Sequence, residues 1–263
     1  MRYNNYAFSI IAIVFKGGFI MAKTVFISGA SRGIGKSIVN CFARKGYNLV
    51  LVCKSSIEQL QEIGKIISDQ YKVEARCYTC DVADSNAVND LFRRLSKEGI
   101  QIDVLINNAG ISYIGLLQDM TDEEWNQVIN TNLSSCFFTS RAVLPQMISR
   151  HNGRIINISS VWGKVGASTE VAYSASKGGV NAFTKALAKE VAPSGISVNA
   201  IACGFIDTQM NKALTSNEKK SIFEEIPAGR PGTSDEVAEM VYKIVTASDY
   251  LTGQVISFDG AWT

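Results

Sequence analysis

Short apolar runs alternate with amphipathic segments along most of this chain, and no other feature restricts its fold as strongly. The apolar runs have strand length and are rich in β-branched residues, so each predicts a strand buried on both faces. Strands are expected at 23–28, 48–53, 73–78, 104–106, 154–158, 196–202 and 255–258. Helices are expected before Gly46 and at 57–70, 86–97, 122–130, 133–150, 173–191 and 235–246.

This alternation defines the predicted fold class. Strands that are apolar on both faces belong in a parallel sheet with helices on either side. Because crossovers between parallel strands are right-handed, the sequence predicts an α/β fold, namely a Rossmann-type doubly wound parallel sheet of about seven strands. A length of 263 residues suits a single domain of this class. Ligands of such sheets bind beyond the carboxyl ends of the strands.

A glycine-rich turn follows the first predicted strand. Gly29, Gly33 and Gly35 lie between that strand and a helix. Glycine permits close backbone approach, and the helix N-terminus offers free N–H groups to a pyrophosphate. The turn therefore indicates a dinucleotide site, although a plain tight turn uses the same residues.

The end of the second strand bears on the choice of dinucleotide. NAD-binding folds place an acidic residue there to hold the ribose 2′-hydroxyl. This chain has Cys53 followed by Lys54, and Arg32 lies in the first turn. Two cations without a carboxylate favour a 2′-phosphate, so NADP(H) is the predicted cofactor. The alternative is that both cations are solvated surface charges.

Tyr173 and Lys177 are the strongest indication of chemistry. On a helix, positions i and i+4 share a face, so the ammonium is expected beside the phenol, where it would lower the tyrosine pKa. Such a tyrosine exchanges a proton with a carbonyl or alcohol oxygen, and a hydroxyl such as Ser160 can hold that oxygen. The alternative is an ordinary Tyr–Lys pair on a surface helix.

Composition excludes several other functions. The net charge of +2 provides no strong field for nucleic acid or for an anionic membrane. The six cysteines are scattered and several lie in apolar runs, which is typical of a protein of the reducing cytoplasm. Cys77 and Cys80 form a lone CxxC, and His151 is the only histidine, so no metal site is predicted.

The first twenty residues differ from the rest. The apolar run at 7–15 is too short to span a bilayer, and no signal-peptide cleavage site follows it. Codons for Lys16, Gly17 and Gly18 can spell a purine-rich ribosome-binding sequence shortly before Met21. The expectation is that residues 1–20 are a leader or a mis-assigned start, and that the working domain is 21–263.

From about residue 22 onward, the chain resembles the short-chain dehydrogenases/reductases of the single-domain type. The resemblance rests on motifs that occur in the order and at the spacing of that family. They are Gly29-x3-Gly33-x-Gly35, Asp81-Val82, Asn107-Asn108-Ala109-Gly110, Asn132, Ser160, Tyr173-x3-Lys177 and Gly204-x3-Thr208.

The resemblance implies a role for each matching residue. The catalytic group would be Asn132, Ser160, Tyr173 and Lys177, with Asn132 kinking its helix and supporting a water relay. Phosphates would bind at Gly29, Ser31, Arg32, Gly33, Ile34 and Gly35, and adenine at Asp81 and Val82. The rest of the cofactor would lie along Asn108, Ala109, Gly110, Tyr173, Lys177, Ile206 and Thr208. The implied reaction is hydride transfer from NADPH to a carbonyl carbon, with Tyr173 protonating the oxygen.

Within the family, the chain is most similar to the 3-oxoacyl-[acyl-carrier-protein] reductases of fatty acid synthesis. That similarity implies an acyl-thioester or small-molecule substrate, acyl carrier protein as a candidate partner, and a homotetramer packed through the last helix and strand. His151 and Ser194, however, occupy positions where that group often carries carrier-docking arginines. Another ketone, a sugar, a steroid, an acyl-CoA, or a non-catalytic NADPH sensor therefore remain open.

Overall fold

Seven parallel strands form the main sheet of the protein. The structure is a computed structural model that describes residues 22–211 and 215–263. The sheet order is β3-β2-β1-β4-β5-β6-β9. Its strands are β1 (Thr24–Ser28), β2 (Asn48–Cys53), β3 (Ala75–Thr79), β4 (Val104–Asn107), β5 (Gly153–Ser160), β6 (Ile196–Cys203) and β9 (Val255–Phe258). This arrangement confirms the predicted doubly wound parallel sheet.

Helices cover both faces of the sheet. They are α1 (Gly33–Arg44), α2 (Ile57–Tyr71), α3 (Ser85–Lys97), α4 (Asp122–Ile129), α5 (Ser135–Arg150), α6 (Trp162–Val165), α7 (Val171–Val191), α8 (Ser216–Glu225) and α9 (Ser234–Val245). One apolar core lies under α1, α2 and α9, and the other under α3, α5 and α7. Alternate residues of one strand serve opposite cores, with Val25 and Ile27 on one side and Phe26 on the other.

Some elements differ from the prediction. The two helices expected at 122–130 and 133–150 are joined without a break by a π-helical segment, Asn130–Ser134. Helices α6 and α8 and the two-residue strands β7 (Ile206–Asp207) and β8 (Gly232–Thr233) were not predicted. They are short or largely exposed, so they lack the apolar periodicity on which the prediction depends.

The sheet order places the first glycine-rich turn at the switch point. β1 lies between β2 and β4, and the chain winds outward from it in one direction to β3 and in the other to β9. Every strand of the sheet runs parallel to its neighbours, so all carboxyl ends share one edge. That edge is where a ligand of this fold binds.

Two kinds of feature are not found in the part of the chain that the structure describes. None of its helices has both the length and the apolar character needed to cross a bilayer. None of its clusters of His, Cys, Asp and Glu side chains has the three members that could hold a metal ion. The predicted leader, residues 1–20, lies outside the described residues.

Candidate active site

The glycines of the turn between β1 and α1 allow a ligand to approach the backbone closely. Gly29 and Gly33 have φ angles of +65° and +52°, which side chains other than glycine rarely adopt. A methyl group built on Gly35 would clash with the carbonyl oxygen of Gly29. Helix α1 begins at Gly33 without an acidic residue in its first turn. The turn and the helix N-terminus therefore fit a dinucleotide pyrophosphate.

Ser28 and Asn108 brace this turn against the loop after β4. The Ser28 hydroxyl accepts the backbone N–H of Asn108 at 3.0 Å and that of Ala109 at 3.1 Å. The Asn108 amide donates to the carbonyl oxygens of Ser28 and Gly29 at 2.9 and 3.1 Å. Sequence reasoning missed Ser28, although a polar residue at the carboxyl end of a buried strand is a signal for it. The side chain of Asn108 supports the turn from within the protein.

At the ends of β2 and β3, two predicted cofactor residues contact each other. Nζ of Lys54 lies 2.7 Å from Oδ2 of Asp81, and Oδ1 of Asp81 accepts the Ala83 N–H at 3.0 Å. Burial raises the pKa of Asp81, but the Lys54 and Ala83 hydrogen bonds outweigh it, so the pKa lies below its ordinary value. Arg32 is exposed at the start of α1, and Val82 is buried.

Helix α7 carries two of the predicted catalytic residues to the carboxyl end of β5. The Lys177 side chain is buried, and its ammonium donates to the carbonyl oxygen of Ile158 at 2.8 Å. Its Nζ lies 5.6 Å from the ring centroid of Tyr173. Ser160 is the last residue of β5, and it interacts with the Tyr173 phenol. The structure thus brings Ser160, Tyr173 and Lys177 together at the predicted edge.

The expected lowering of the tyrosine pKa is wrong. Burial raises the pKa of Tyr173 above its ordinary value, and the hydrogen bond with Ser160 opposes this only in part. Burial also lowers the pKa of Lys177. The ammonium is directed at the Ile158 carbonyl, so it does not offset the desolvation of the phenol. Tyr173 is accordingly held in its protonated form at neutral pH.

Asn132 lies in the π-helical segment and joins the loop after β4 to α7. Its Oδ1 accepts the Ile111 N–H at 2.8 Å, and its Nδ2 donates to the Ile111 carbonyl at 2.9 Å and to Oγ of Ser176 at 3.0 Å. Ser176 in turn donates to the carbonyl oxygen of Tyr173 at 2.7 Å. A methyl group built on Gly110 would lie 3.3 Å from Oδ1 of Asn132 and 3.5 Å from Nζ of Lys177. All four predicted catalytic residues therefore belong to one site.

A buried chain of polar side chains fixes the strands beneath this site. Asn107, at the end of β4, donates to Oδ1 of Asn157 on β5 at 2.9 Å and accepts from the Thr139 hydroxyl at 2.7 Å. Asn157 is fully buried and donates to Thr184 of α7 at 2.9 Å. Sequence reasoning gave Asn157 no role, although an asparagine inside an apolar strand indicates a buried polar network. The network sets the spacing of α5, β4, β5 and α7.

The opening of the site is bordered by aromatic and carboxyl side chains. The rings of Trp162 and Trp262 lie 4.9 Å apart, so the C-terminal turn contacts the start of α6. Glu170 lies next to α7, and burial raises the pKa of its carboxyl group. Ile206 is buried, and a methyl group built on Gly33 would lie 3.7 Å from Thr208. The segment after β6 therefore reaches over the glycine-rich turn, as the predicted cofactor contacts of Ile206 and Thr208 require.

Comparison with protein families and curated proteins identifies relatives of the whole domain. The short chain dehydrogenase family model matches residues 23–219. The chain is 41% identical to 3-oxoacyl-[acyl-carrier-protein] reductase FabG of Chlamydia trachomatis, covering 92% of this chain and 98% of the relative. It is 38% identical to the FabG of Escherichia coli, covering 90% and 96%. It is 37% identical to the oxidoreductase YmfI of Bacillus subtilis, covering 92% and 99%.

A solved structure shows the same fold. The crystal structure of a putative gluconate dehydrogenase from Agrobacterium tumefaciens superposes with a TM-score of 0.87 at 31% sequence identity. The match covers 91% of this chain and 95% of that one. Together with the family match and the assembled Ser160, Tyr173 and Lys177, this identifies the chain as an oxidoreductase that belongs to the short-chain dehydrogenase family.

Proposed function

We propose that this enzyme uses NADPH to reduce a carbonyl group to an alcohol, and that its substrate is a 3-oxoacyl thioester. The observation that carries the reaction is the convergence of Ser160, Tyr173 and Lys177 beside the glycine-rich turn. Such an arrangement provides a proton donor, a hydrogen-bond donor and a buried cation around one oxygen atom. A non-catalytic NADPH sensor would have no need of the proton donor.

Side chains of the protein transfer the proton and stabilise the negative charge that develops on the substrate oxygen. When bound, the reduced nicotinamide supplies a hydride to the carbonyl carbon. The Ser160 hydroxyl donates a hydrogen bond to the carbonyl oxygen and holds it near Tyr173. Tyr173, which burial keeps protonated, gives its proton to that oxygen as negative charge develops there. The Lys177 ammonium, 5.6 Å from the centroid of the Tyr173 ring, favours the phenolate that forms, although its charge does not outweigh the burial that keeps the resting phenol protonated. Asn132 acts through Ser176 and the Ile111 loop by positioning α7.

The preference for NADPH over NADH rests on the charges at the adenosine end. Cys53 and Lys54 at the end of β2 provide no carboxylate for a 2′-hydroxyl, the carboxylate of Asp81 beyond β3 is paired with Lys54, and Arg32 lies exposed at the start of α1. The pyrophosphate would contact the turn and the first N–H groups of α1. The residues proposed to hold the cofactor are Gly29, Ser31, Arg32, Gly33, Ile34, Gly35, Lys54, Asp81, Val82, Asn108, Ala109, Gly110, Tyr173, Lys177, Ile206 and Thr208.

The thioester substrate is supported by the 3-oxoacyl-[acyl-carrier-protein] reductases among the relatives. The surface that would dock the carrier protein lacks arginines that such docking is expected to need. His151 and Ser194 replace the expected arginines, and the neighbouring Arg150 is already occupied. Its guanidinium donates to Asp103 at 2.9 Å, to the Ile102 carbonyl at 2.6 Å and to the Gln146 carbonyl at 3.1 Å. We therefore expect weak discrimination between carriers.

A comparison of carriers tests this proposal. NADPH oxidation is followed with acetoacetyl thioesters of acyl carrier protein, of CoA and of a short pantetheine mimic, beside a panel of simple ketones and keto-sugars. We expect kcat/KM for the thioesters to exceed that for the panel at least tenfold, with carrier protein and CoA within about tenfold of each other. Activity confined to the panel would replace the thioester by another ketone substrate.

A variant with two added arginines tests whether this face docks the carrier protein. Introducing His151→Arg together with Ser194→Arg places two cations on the face where acidic carrier protein would dock. We expect KM for the carrier-protein thioester to fall several-fold while KM for the CoA thioester stays unchanged, because electrostatic steering acts on the charged partner. Equal changes for both thioesters would show that this face does not contact the carrier.

The assembly remains a prediction. β9 is an edge strand of the sheet, with β6 as its neighbour, and its residues Val255, Ile256 and Phe258 are only partly buried. A partly covered edge next to α9 supports packing of subunits through this helix and strand, as proposed for a homotetramer.

A further inference from the structure

The salt bridge between Lys54 and Asp81 joins two strand ends at the place proposed for the adenosine ribose. Cys53 and Thr79 are register partners on β2 and β3, and the Cys80 N–H continues this pairing to the Cys53 carbonyl at 2.9 Å. Lys54 and Asp81 extend just beyond that point, with Nζ and Oδ2 2.7 Å apart. The sheet itself therefore sets the two charges side by side.

The glycine-rich turn brings the phosphate-binding elements to the same point. The Ala30 N–H donates to the Val52 carbonyl at 3.1 Å, which fixes the turn against the end of β2. Arg32 follows in an extended conformation with its side chain exposed. A 2′-phosphate on a ribose at the end of β2 would thus be within the region reached by both cations.

The salt bridge is weak enough for Lys54 to exchange Asp81 for another anionic partner. The side chains of Lys54 and Asp81 are 65% and 36% exposed. Exposed pairs of a lysine and a carboxylate contribute little, because solvent screens them and two flexible side chains must be ordered. A phosphate carries more charge and three acceptor oxygens, so it competes well for the same ammonium.

We propose that Lys54 changes partners when the cofactor binds, so that its ammonium leaves the Asp81 carboxylate and binds the 2′-phosphate. Because Asp81 competes with the phosphate for Lys54, Asp81 tunes the discrimination between NADPH and NADH. This inference rests on the proposed NADPH preference. It adds that a carboxylate two residues beyond β3 weakens phosphate recognition. Lys54 would then serve both states, as a partner of Asp81 in the free protein and of the phosphate in the complex.

A double-mutant cycle with two small ligands tests the exchange. The probes are 2′,5′-ADP, which carries the 2′-phosphate, and 5′-AMP, which does not. Their dissociation constants are measured by calorimetry for the wild type, Asp81→Asn, Lys54→Gln and the double variant. Asparagine retains an oxygen that can accept the Ala83 N–H, so the local turn is preserved. Asp90→Asn on α3, which breaks the exposed pair with Arg93, is the matched control for loss of a surface carboxylate.

The expected result is a change in the ratio of the two affinities, and this change depends on Lys54. Asp81→Asn should raise the ratio of 2′,5′-ADP affinity to 5′-AMP affinity about threefold, within the range that an exposed ion pair contributes, because any contact between Asp81 and the adenine is common to both ligands and cancels in the ratio. In the Lys54→Gln background the same substitution should have a clearly smaller effect, and Asp90→Asn should have none. An equal gain in this ratio with and without Lys54 would mean simple repulsion between Asp81 and the phosphate and would overturn the exchange, as would an unchanged or lower ratio.

The cycle also separates this inference from the proposed cofactor preference. If the wild type binds 2′,5′-ADP no more tightly than 5′-AMP, the preference for NADPH fails, and the exchange fails with it. If the wild type prefers 2′,5′-ADP but the cycle shows no coupling between Lys54 and Asp81, the preference stands and only the exchange is overturned.

Discussion

Replacing Tyr173 by phenylalanine is expected to lower kcat for carbonyl reduction by about 10³-fold or more, while the dissociation constant of NADPH changes less than about twofold. Phenylalanine preserves the ring but removes the proton that must reach the substrate oxygen. Steady-state turnover and NADPH fluorescence titration measure the two quantities separately.

The control for this substitution is Tyr71→Phe at the end of α2, far along the sheet from β5, which should leave both quantities unchanged.

The pH dependence of turnover gives a second check on the role of Tyr173. Because burial raises the pKa of Tyr173, the donor stays protonated through neutral pH, so reduction should be level there and fall only above the ordinary tyrosine pKa of about 10. Alcohol oxidation needs the phenolate and should rise with pH. A decrease in the rate of reduction near pH 7 caused by ionisation of Tyr173 would contradict this expectation.

Replacing Lys177 by methionine is expected to reduce kcat/KM by at least about 10²-fold without reducing the free energy of unfolding at neutral pH. The ammonium is buried, and burial lowers its pKa from the ordinary 10.5, so its charge is costly to the folded state. That cost is complete where the ammonium is protonated in both the folded and the unfolded state, and it diminishes as pH rises from the lowered pKa toward 10.5, as the sign of the shift requires. Methionine has similar length and no charge.

Denaturant unfolding at several pH values, together with turnover, checks this prediction. Any gain in stability from Lys177→Met should be largest below the lowered pKa of Lys177 and shrink as pH rises toward 10.5. The matched control is Lys185→Met on the same helix, which is exposed and should change neither stability nor turnover appreciably. Retained turnover in Lys177→Met would show that the cation is not needed, and a large loss of stability would show that Lys177 serves mainly to bind the Ile158 carbonyl.

Much of the fold could be predicted because its signals are local. Each strand of the sheet is a continuous apolar run, and Gly46, with a φ angle of +80°, follows the end of α1 as expected. The position of the site followed from the fold class, since residues such as Ser160 and Asn108 come at the carboxyl ends of parallel strands. The four-residue spacing of Tyr173 and Lys177 placed both on one face of α7.

The remaining features depend on directions that spacing does not specify. The sequence puts an ammonium near a phenol, but it does not show that the ammonium points to the Ile158 carbonyl, so the pKa of Tyr173 was predicted with the wrong sign. Lys54 and Asp81 are far apart in sequence and meet only because β2 and β3 are neighbours. The π-helical segment around Asn132 depends on tertiary hydrogen bonds to Ile111 and Ser176, which no local pattern reports.

The proposed hydride transfer from the cofactor is tested by following deuterium from NADPH into the product. Acetoacetyl-CoA is reduced by the wild type with NADPH labelled at C4 on either face, and the product is analysed by mass spectrometry and NMR. We expect one deuterium on the new carbinol carbon from one of the two labelled cofactors, and a proton from solvent on the oxygen. Product without deuterium from either cofactor, or no reduction of any thioester or ketone, would contradict it.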